Sequence, residues 1–169
     1  MPLVLCDAGP LIALGKLNRL HLLADLYGTV SVPRAVYREA VSEGLLRGLP
    51  DALTVRLFWE TQGWPVVDVS EALRAAYVPT VVLDPGETEL LALAQAQPDS
   101  LILVDDEAAR AEARRLNLTT RGTLGIITQA HRVAILSLPQ TELLIREIAA
   151  RRDIWISSKL CEQVLASLG

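Results

Sequence analysis

The run Leu101-Ile102-Leu103-Val104, ending abruptly in Asp105-Asp106, constrains the fold more than any other stretch of this chain. A strand that is apolar at every position has no solvent face, so it is covered on both sides, like a central strand of a parallel sheet. An apolar run closed by an acid also opens the chain, at residues 3–6 followed by Asp7. Further strands are predicted at 29–32, 66–69 and 118–120. Helical patterns alternate with them. After a break at Gly9-Pro10, one runs from Leu11 to Tyr27 and is closed by Gly28. Others run from Pro33, at the first helical position, to about residue 42, and over 50–60 and 71–77. Asp84-Pro85-Gly86-Glu87 opens another, stopped at Pro98; the next follows Asp106 and reaches 116, and Gly122-Thr123 opens a further one. Amphipathic helices at 140–151 and 158–168 close the chain. The alternation predicts an α/β fold, a three-layer α/β/α sandwich around a central parallel sheet. Residues 1–169 are expected to form one domain, with 138–169 as its C-terminal helical extension.

Composition narrows the classes. A chain of 169 residues, 51% of them hydrophobic, buries a real core and is not intrinsically disordered. Two cysteines, Cys6 and Cys161, make neither a disulfide framework nor a cysteine zinc site. No apolar run approaches the ~20 residues of a membrane helix. The first residues have no basic region and meet an acid at once, unlike a signal peptide. The expectation is a soluble cytoplasmic protein with no membrane partner. A net charge of −4 argues against a large passive phosphate-binding surface, and 4% aromatic content argues against a base-stacking platform.

Four acids stand out by position. Asp7 and Asp105 end strands, and ligands of parallel sheets bind beyond such ends where the strand order reverses. Glu39 lies about two turns into the helix after the second strand, and Glu87 in the first turn of the helix before the apolar run. Two carboxylates about 6 Å apart repel by roughly 3 kcal/mol at an effective dielectric of 20. Four together therefore require protonation or cations. Hard oxygen ligands favour Mg²⁺ or Mn²⁺, and a metal pair can clamp a phosphodiester for in-line attack. Each acid also has a plainer reading. Asp7 could satisfy backbone donors in the Gly9-Pro10 turn, and Glu39 could pair with a nearby arginine on a solvated face. Asp84 and Glu87 have capping-box spacing. Asp105 could cap the helix that follows, with Asp106 and Glu107 as first-turn charges. Asp106 remains a substitute ligand, and Thr123 either caps its helix or orients a water or phosphate at the site.

In order and spacing these pieces resemble the PIN-domain family, and within it a group of VapC-like toxin nucleases. The resemblance rests on Asp7-Ala8-Gly9-Pro10-Leu11-Ile12-Ala13-Leu14, Val32-Pro33-Arg34-Ala35-Val36-Tyr37-Arg38-Glu39 and the stretch from Gly86-Glu87 to Ala94. It continues in Leu103-Val104-Asp105-Asp106-Glu107-Ala108-Ala109-Arg110, Gly122-Thr123-Leu124-Gly125-Ile126-Ile127 and the tail from Ile154 to Leu160. The resemblance implies a Mg²⁺- or Mn²⁺-dependent ribonuclease, acting on single-stranded or loop RNA as the toxin of a toxin–antitoxin pair. It further implies a small antitoxin partner and a homodimer. The family's acids fall on Asp7, Glu39 and Asp105, with the remaining one on Glu87 or, in another register, Glu89. Asp7 and Asp105 are expected to ligate the metal, Glu39 to ligate it or position its water, and Glu87 to complete the acidic shell. Two departures bear on this. Ala8 stands where many members carry a hydroxyl, and Gly122-Thr123 replaces a further acid, a role open to Asp106 or Thr123. One tightly held metal, with a second arriving with RNA, is the expected arrangement. A catalytically degenerate module that binds RNA or protein is the alternative.

Lys16, Arg34, Arg38, Arg110, Arg114 and Arg121 are candidate phosphate contacts, with solvated helix faces as the plainer reading. His21 and His131 stand alone without metal-ligand spacing, and no phosphate-binding glycine loop is present. Phe58, Trp59 and Trp64 are expected to pack locally or against a partner chain.

Overall fold

The structure, a computed structural model, describes residues 2–168. Five short parallel strands run through it: β1 (Val4–Cys6), β2 (Val32–Pro33), β3 (Val66–Val67), β4 (Leu101–Leu103) and β5 (Thr119–Arg121). β4 pairs with β1 on one side, Leu5 opposite Ile102, and with β5 on the other, Ile102 opposite Thr120. β2 and β3 pair with Val32 opposite Val66. A bridge between Leu5 and Ser31 joins the two groups: Ser31 N–H donates to Val4 O (2.9 Å) and Cys6 N–H to Ser31 O (3.1 Å). The spatial order is thus β3-β2-β1-β4-β5, and it reverses between β1 and β4.

The helices are α1 (Ala8–Lys16), α2 (His21–Tyr27), α3 (Arg34–Tyr37), α4 (Gly44–Leu46), α5 (Pro50–Gln62), α6 (Glu71–Ala76) and α7 (Pro85–Ala96). After β4 follow α8 (Glu107–Arg115), α9 (Thr123–Arg132), α10 (Leu138–Ala150) and α11 (Ser158–Leu168). Strand periodicity sorts the core into layers. Val4, Cys6 and Leu103 face Leu11 and Leu14 of α1, Val55 and Trp59 of α5 and Ile126 of α9. Leu5, Ile102 and Val104 face the other way, onto Leu90 and Leu91 of α7 and Ala109 and Ala113 of α8. A third cluster, with Leu22, Ile127, Ile145, Ile148 and Cys161, fixes α10 and α11 against α2 and α9. Both cysteines are buried. Among the described residues no helix is long and apolar enough to cross a membrane. Trp64 packs edge-on against both Phe58 and Trp59, at 5.2 and 5.1 Å between ring centres.

Several expected boundaries move. The first helix begins directly after Asp7 rather than at Leu11, because a proline in the first turn lacks only an N–H that has no helical partner there. It ends at Lys16, where Asn18 adopts a left-handed φ of 55°, and α2 starts afresh. Pro33 is the extended last residue of β2 rather than the first of a helix. The helix expected to end near 42 runs on to Leu46 through a π-helical turn, Arg38–Glu43, which carries Glu39. Such turns concentrate at functional sites. Just beyond it Gly44 passes so close to α5 that a Cβ there would lie 2.6 Å from that of Ala52.

Candidate active site

Asp7 and Asp105 leave the carboxyl ends of β1 and β4, the two strands that flank the reversal in strand order. Asp7 is buried, at 6% exposure, in the N-cap position of α1, yet its side chain makes no capping bond. Burial pushes its carboxyl up to about 7, the Ala8 amide offsets this in part, and Asp84, Glu39 and Asp105 push it up further. Asp7 thus occupies a capping position without a side-chain cap, in surroundings where ionisation is unfavourable.

Asp105 is held by a clamp. Thr123 N–H donates to its Oδ1 at 2.7 Å and Thr123 Oγ1 to its Oδ2 at 2.6 Å. Burial raises its pKa, while these bonds and the nearby Arg110 pull it back. Gly122 makes the clamp sterically feasible: a Cβ there would sit 2.8 Å from both Asp105 Oδ1 and an Arg110 guanidinium nitrogen. Thr123 is fully buried and its hydroxyl is committed to Asp105. It therefore positions a carboxylate, and the cap of α9 is Gly122. Thr123→Val is expected to lower any metal-dependent activity about tenfold or more while costing about 1.5–3 kcal/mol of stability. Activity assays beside thermal melts separate the two effects.

Glu39 projects from the π-helical turn, with its carboxyl raised first by burial and then by Asp84 and Glu43. Glu87 combines both of its readings. It completes a capping box at the start of α7, with Glu87 N–H donating to Asp84 Oδ1 at 2.7 Å and Asp84 N–H to Glu87 Oε2 at 3.4 Å. It also lines the same cavity as Asp7, and burial followed by repulsion from Asp84, Asp106 and Asp7 lifts its carboxyl to about 8.

That cavity, about 530 Å³, is lined by Asp7, Glu39, Asp51, Asp84, Glu87, Asp105, Asp106, Glu107 and Asp153, with Lys16 as its lone basic residue. Asp51, Asp84 and Asp153 were missed by sequence reasoning. Asp84 carried a signal, since its capping box with Glu87 placed it at the same end of the sheet. Asp51 opens α5 and Asp153 sits in the tail, and nothing local marks either. The tail forms a wall because Lys16 Nζ donates to Asp153 O and Arg151 donates to Lys16 O at 3.2 Å.

Other predicted residues lie elsewhere or act otherwise. Asp106, not Asp105, caps α8, accepting from Ala109 N–H at 2.9 Å, because the chain stays extended for one residue longer than expected. Glu89 is buried away from the acidic cavity, accepting Ala35 N–H at 3.3 Å and pairing with Arg74 at 3.4 Å. Its helical phase, two residues from Glu87, turns it toward α3. Arg34 pairs with Asp68 and, with Arg38, lines a separate groove beside Glu89. Arg114 pairs with Glu107. Lys16 does line the acidic cavity, held on Asp153. Arg110 and Arg121 line an adjoining cavity of about 560 Å³ that shares Asp105, Glu107 and Trp155 with the first.

The donor set tests the implied cation. The carboxylates are hard oxygen ligands, and burial first, then repulsion from neighbouring acids, raises the pKa values of Asp7 and Glu87. Among the described residues no three carboxylate, imidazole or thiolate groups form a closed ligand cluster. Mg²⁺ and Mn²⁺ take few protein ligands directly and keep several waters. Asp7 and Asp105, which line one cavity, offer oxygen donors of the chemical kind such an ion takes.

A parallel α/β/α sheet with its acid-lined cavity at the switch point places a group of carboxylates where ligands of such folds bind. A family model described as PIN domain matches residues 3–169, and the chain belongs to the PIN-domain family. Members of this family are generally metal-dependent nucleases. No curated protein matches the chain.

Proposed function

We propose that this protein is a Mg²⁺- or Mn²⁺-dependent endoribonuclease of the VapC-like kind, the toxin of a toxin–antitoxin pair acting in the cytoplasm. What supports the metal-dependent hydrolase part is the convergence of Asp7 and Asp105 at the switch point inside a cavity lined by nine carboxylates and one lysine, whereas the VapC-like toxin part rests on the resemblance of the sequence motifs. Asp7 and Asp105 would hold the ion, Glu39 would hold it or orient a water, and Glu87 would complete the acidic shell. A bound divalent ion would supply charge neutralisation for the phosphodiester and lower the pKa of water. Thr123 keeps both Asp105 oxygens in place. In the metal-free protein the Glu87 carboxyl, raised to about 8 chiefly by burial, holds a proton near neutral pH. Overall, water adds to the phosphorus and one P–O bond of the RNA backbone breaks. Residues 1–169 act as one domain in this reading.

The partner proposals rest on a surface. Leu46 at the end of α4, Leu49 capping α5, and Leu53 and Leu57 within α5 are exposed, the last three at helical spacing, an apolar stripe suited to a protein partner, either the antitoxin or a second copy. The test is cleavage of a mixed structured RNA pool with Mn²⁺, Mg²⁺ or EDTA. Cutting with either ion and none with EDTA is expected. The alternative, a catalytically degenerate module, draws on the capping box that already engages Asp84 and Glu87 and on the absence of a closed ligand cluster among the described residues. Failure to bind either ion at millimolar concentration would favour it.

A further inference from the structure

Trp155 is 94% exposed, the most exposed aromatic side chain of the protein, and it stands on the ridge between the acidic cavity and its neighbour. Its exposure is enforced. The tail around it is not helical, and Ile154 on one side is 5% exposed within the third hydrophobic cluster while Ile156 on the other packs against the same cluster. Alternation along this segment turns the indole outward while its neighbours anchor it. Leaving an indole in water forgoes burial that a tryptophan usually obtains, and Trp59 and Trp64 are both buried.

The neighbouring cavity is unlike the acidic one. Arg110 and Arg121 line it, together with Ile156 and Leu160. Arg110 makes no salt bridge among the described residues, although it lies beside Asp105. Arg121 is steadied by donating to Tyr27 Oη at 3.0 Å. An aromatic face, two guanidinium groups and a shared edge with the acidic centre match the chemistry of a nucleic-acid strand: a base to stack, phosphates to neutralise, and a continuous path to the acids.

We propose that Trp155, with Arg110 and Arg121, forms a subsite for single-stranded RNA, in which an unpaired base stacks on the indole and flanking phosphates lie along the arginines. The proposal rests on the nuclease reading for its place beside the scissile bond. The strand is single because a paired base presents its face to its neighbours in the stack and not to a protein side chain. Trp155 is here a substrate-binding residue that sets a preference for unpaired sequence. It takes no part in the bond-breaking step.

The test has two arms. In the first, Trp155→Ala and Trp155→Phe are compared with wild type in cleavage of a short single-stranded RNA of mixed sequence. Trp155→Ala is expected to raise KM about tenfold or more, with kcat changed much less, and Trp155→Phe to recover most of the loss. In the second arm, the same RNA is titrated into the Asp7→Asn protein in EDTA. It is expected to quench tryptophan emission in a salt-dependent way, the duplex of the same sequence to quench far less, and the response to vanish when Trp155→Phe is added. Melting curves check folding, which an exposed side chain leaves intact. Cleavage with an unchanged KM in Trp155→Ala overturns the subsite and leaves the nuclease standing, and it would make a protein partner the better occupant. No cleavage by wild type, with quenching intact, overturns the nuclease and leaves the subsite standing. No quenching and no cleavage overturns both.

Discussion

Asp7→Asn is expected to abolish metal-dependent RNA cleavage and at the same time to make the metal-free protein more stable. The loss of activity should be at least about a hundredfold, the scale on which removing one charge-stabilising group slows an enzyme. The gain in stability follows from burial. In the folded protein this carboxyl is held at about 7, against an ordinary value near 4. Above pH 7 the wild type must ionise it in an unfavourable place, which costs about 1–4 kcal/mol. Asparagine has nearly the same shape and no charge, so the melting temperature in EDTA at pH 8 should rise by several degrees. Added Mg²⁺ or Mn²⁺ should stabilise the wild type, more at pH 8 than at pH 6, and leave the variant nearly unmoved. Full cleavage by a well-folded Asp7→Asn protein would remove Asp7 from the site. A variant that melts lower would show the carboxylate to be a structural group.

Glu112→Ala should produce the largest loss of stability. Glu112 is nearly fully buried on α8, and four groups converge on it. Tyr77 Oη donates at 2.8 Å, Thr80 N–H at 2.9 Å, Arg115 Nε at 2.9 Å, and the Thr80 hydroxyl also donates. Together these hold its carboxyl well below the usual range, the Arg115 bond first. The network ties the segment between α6 and α7, and hence the approach to Asp84, onto α8. Removing the carboxylate strands a buried tyrosine hydroxyl and loosens that segment. Because Arg115 is 42% exposed, the loss should fall at about 2–4 kcal/mol, near the lower end for broken buried pairs. A urea titration reads it, and a shift below 1 kcal/mol would mean the segment is held by other contacts.

The two groups impose opposite pH slopes in different windows. Glu112 is depressed when folded, so its stabilisation is full above the ordinary carboxylate range and is lost as pH falls through that range. Asp7 and Glu87 are raised when folded, to about 7 and about 8. Between pH 4 and those values the folded state holds more protons than the unfolded one, so stability declines as pH rises. Without divalent ions the protein should therefore be most stable near pH 5, and a divalent ion should move that optimum upward.

Much of the site was legible because strand ends are written locally. An apolar run followed by an acid identifies both the central strand and its carboxyl end, so Asp7 and Asp105 could be paired before any contact was known. Glu87 was legible only as a choice between cap and cavity residue. Geometry makes it both, because the first turn of α7 is also the cavity wall. Thr123 was seen as either a cap or a ligand of water and phosphate, and its bonds to Asp105 show a third use. Asp51 could not be found because nothing local places it at the cavity, and Asp153 and Glu112 could not because each owes its role to partners on another segment. Low aromatic content argued against base stacking, yet composition counts tryptophans without saying which way they point.

What the sequence by itself determined is the layered α/β/α plan and the two acids at its centre. Both follow from hydrophobic periodicity, a short-range property that each segment carries alone. What only the tertiary structure decided is which further charges enter the cavity, which way Glu89 and Trp155 face, and how Asp105 is held. Those outcomes depend on helical phase, a π-helical turn and a tail folded back on α1. They are settled by packing between separate segments, from Asp105 and Thr123 to Lys16 and Asp153, and no local pattern encodes them.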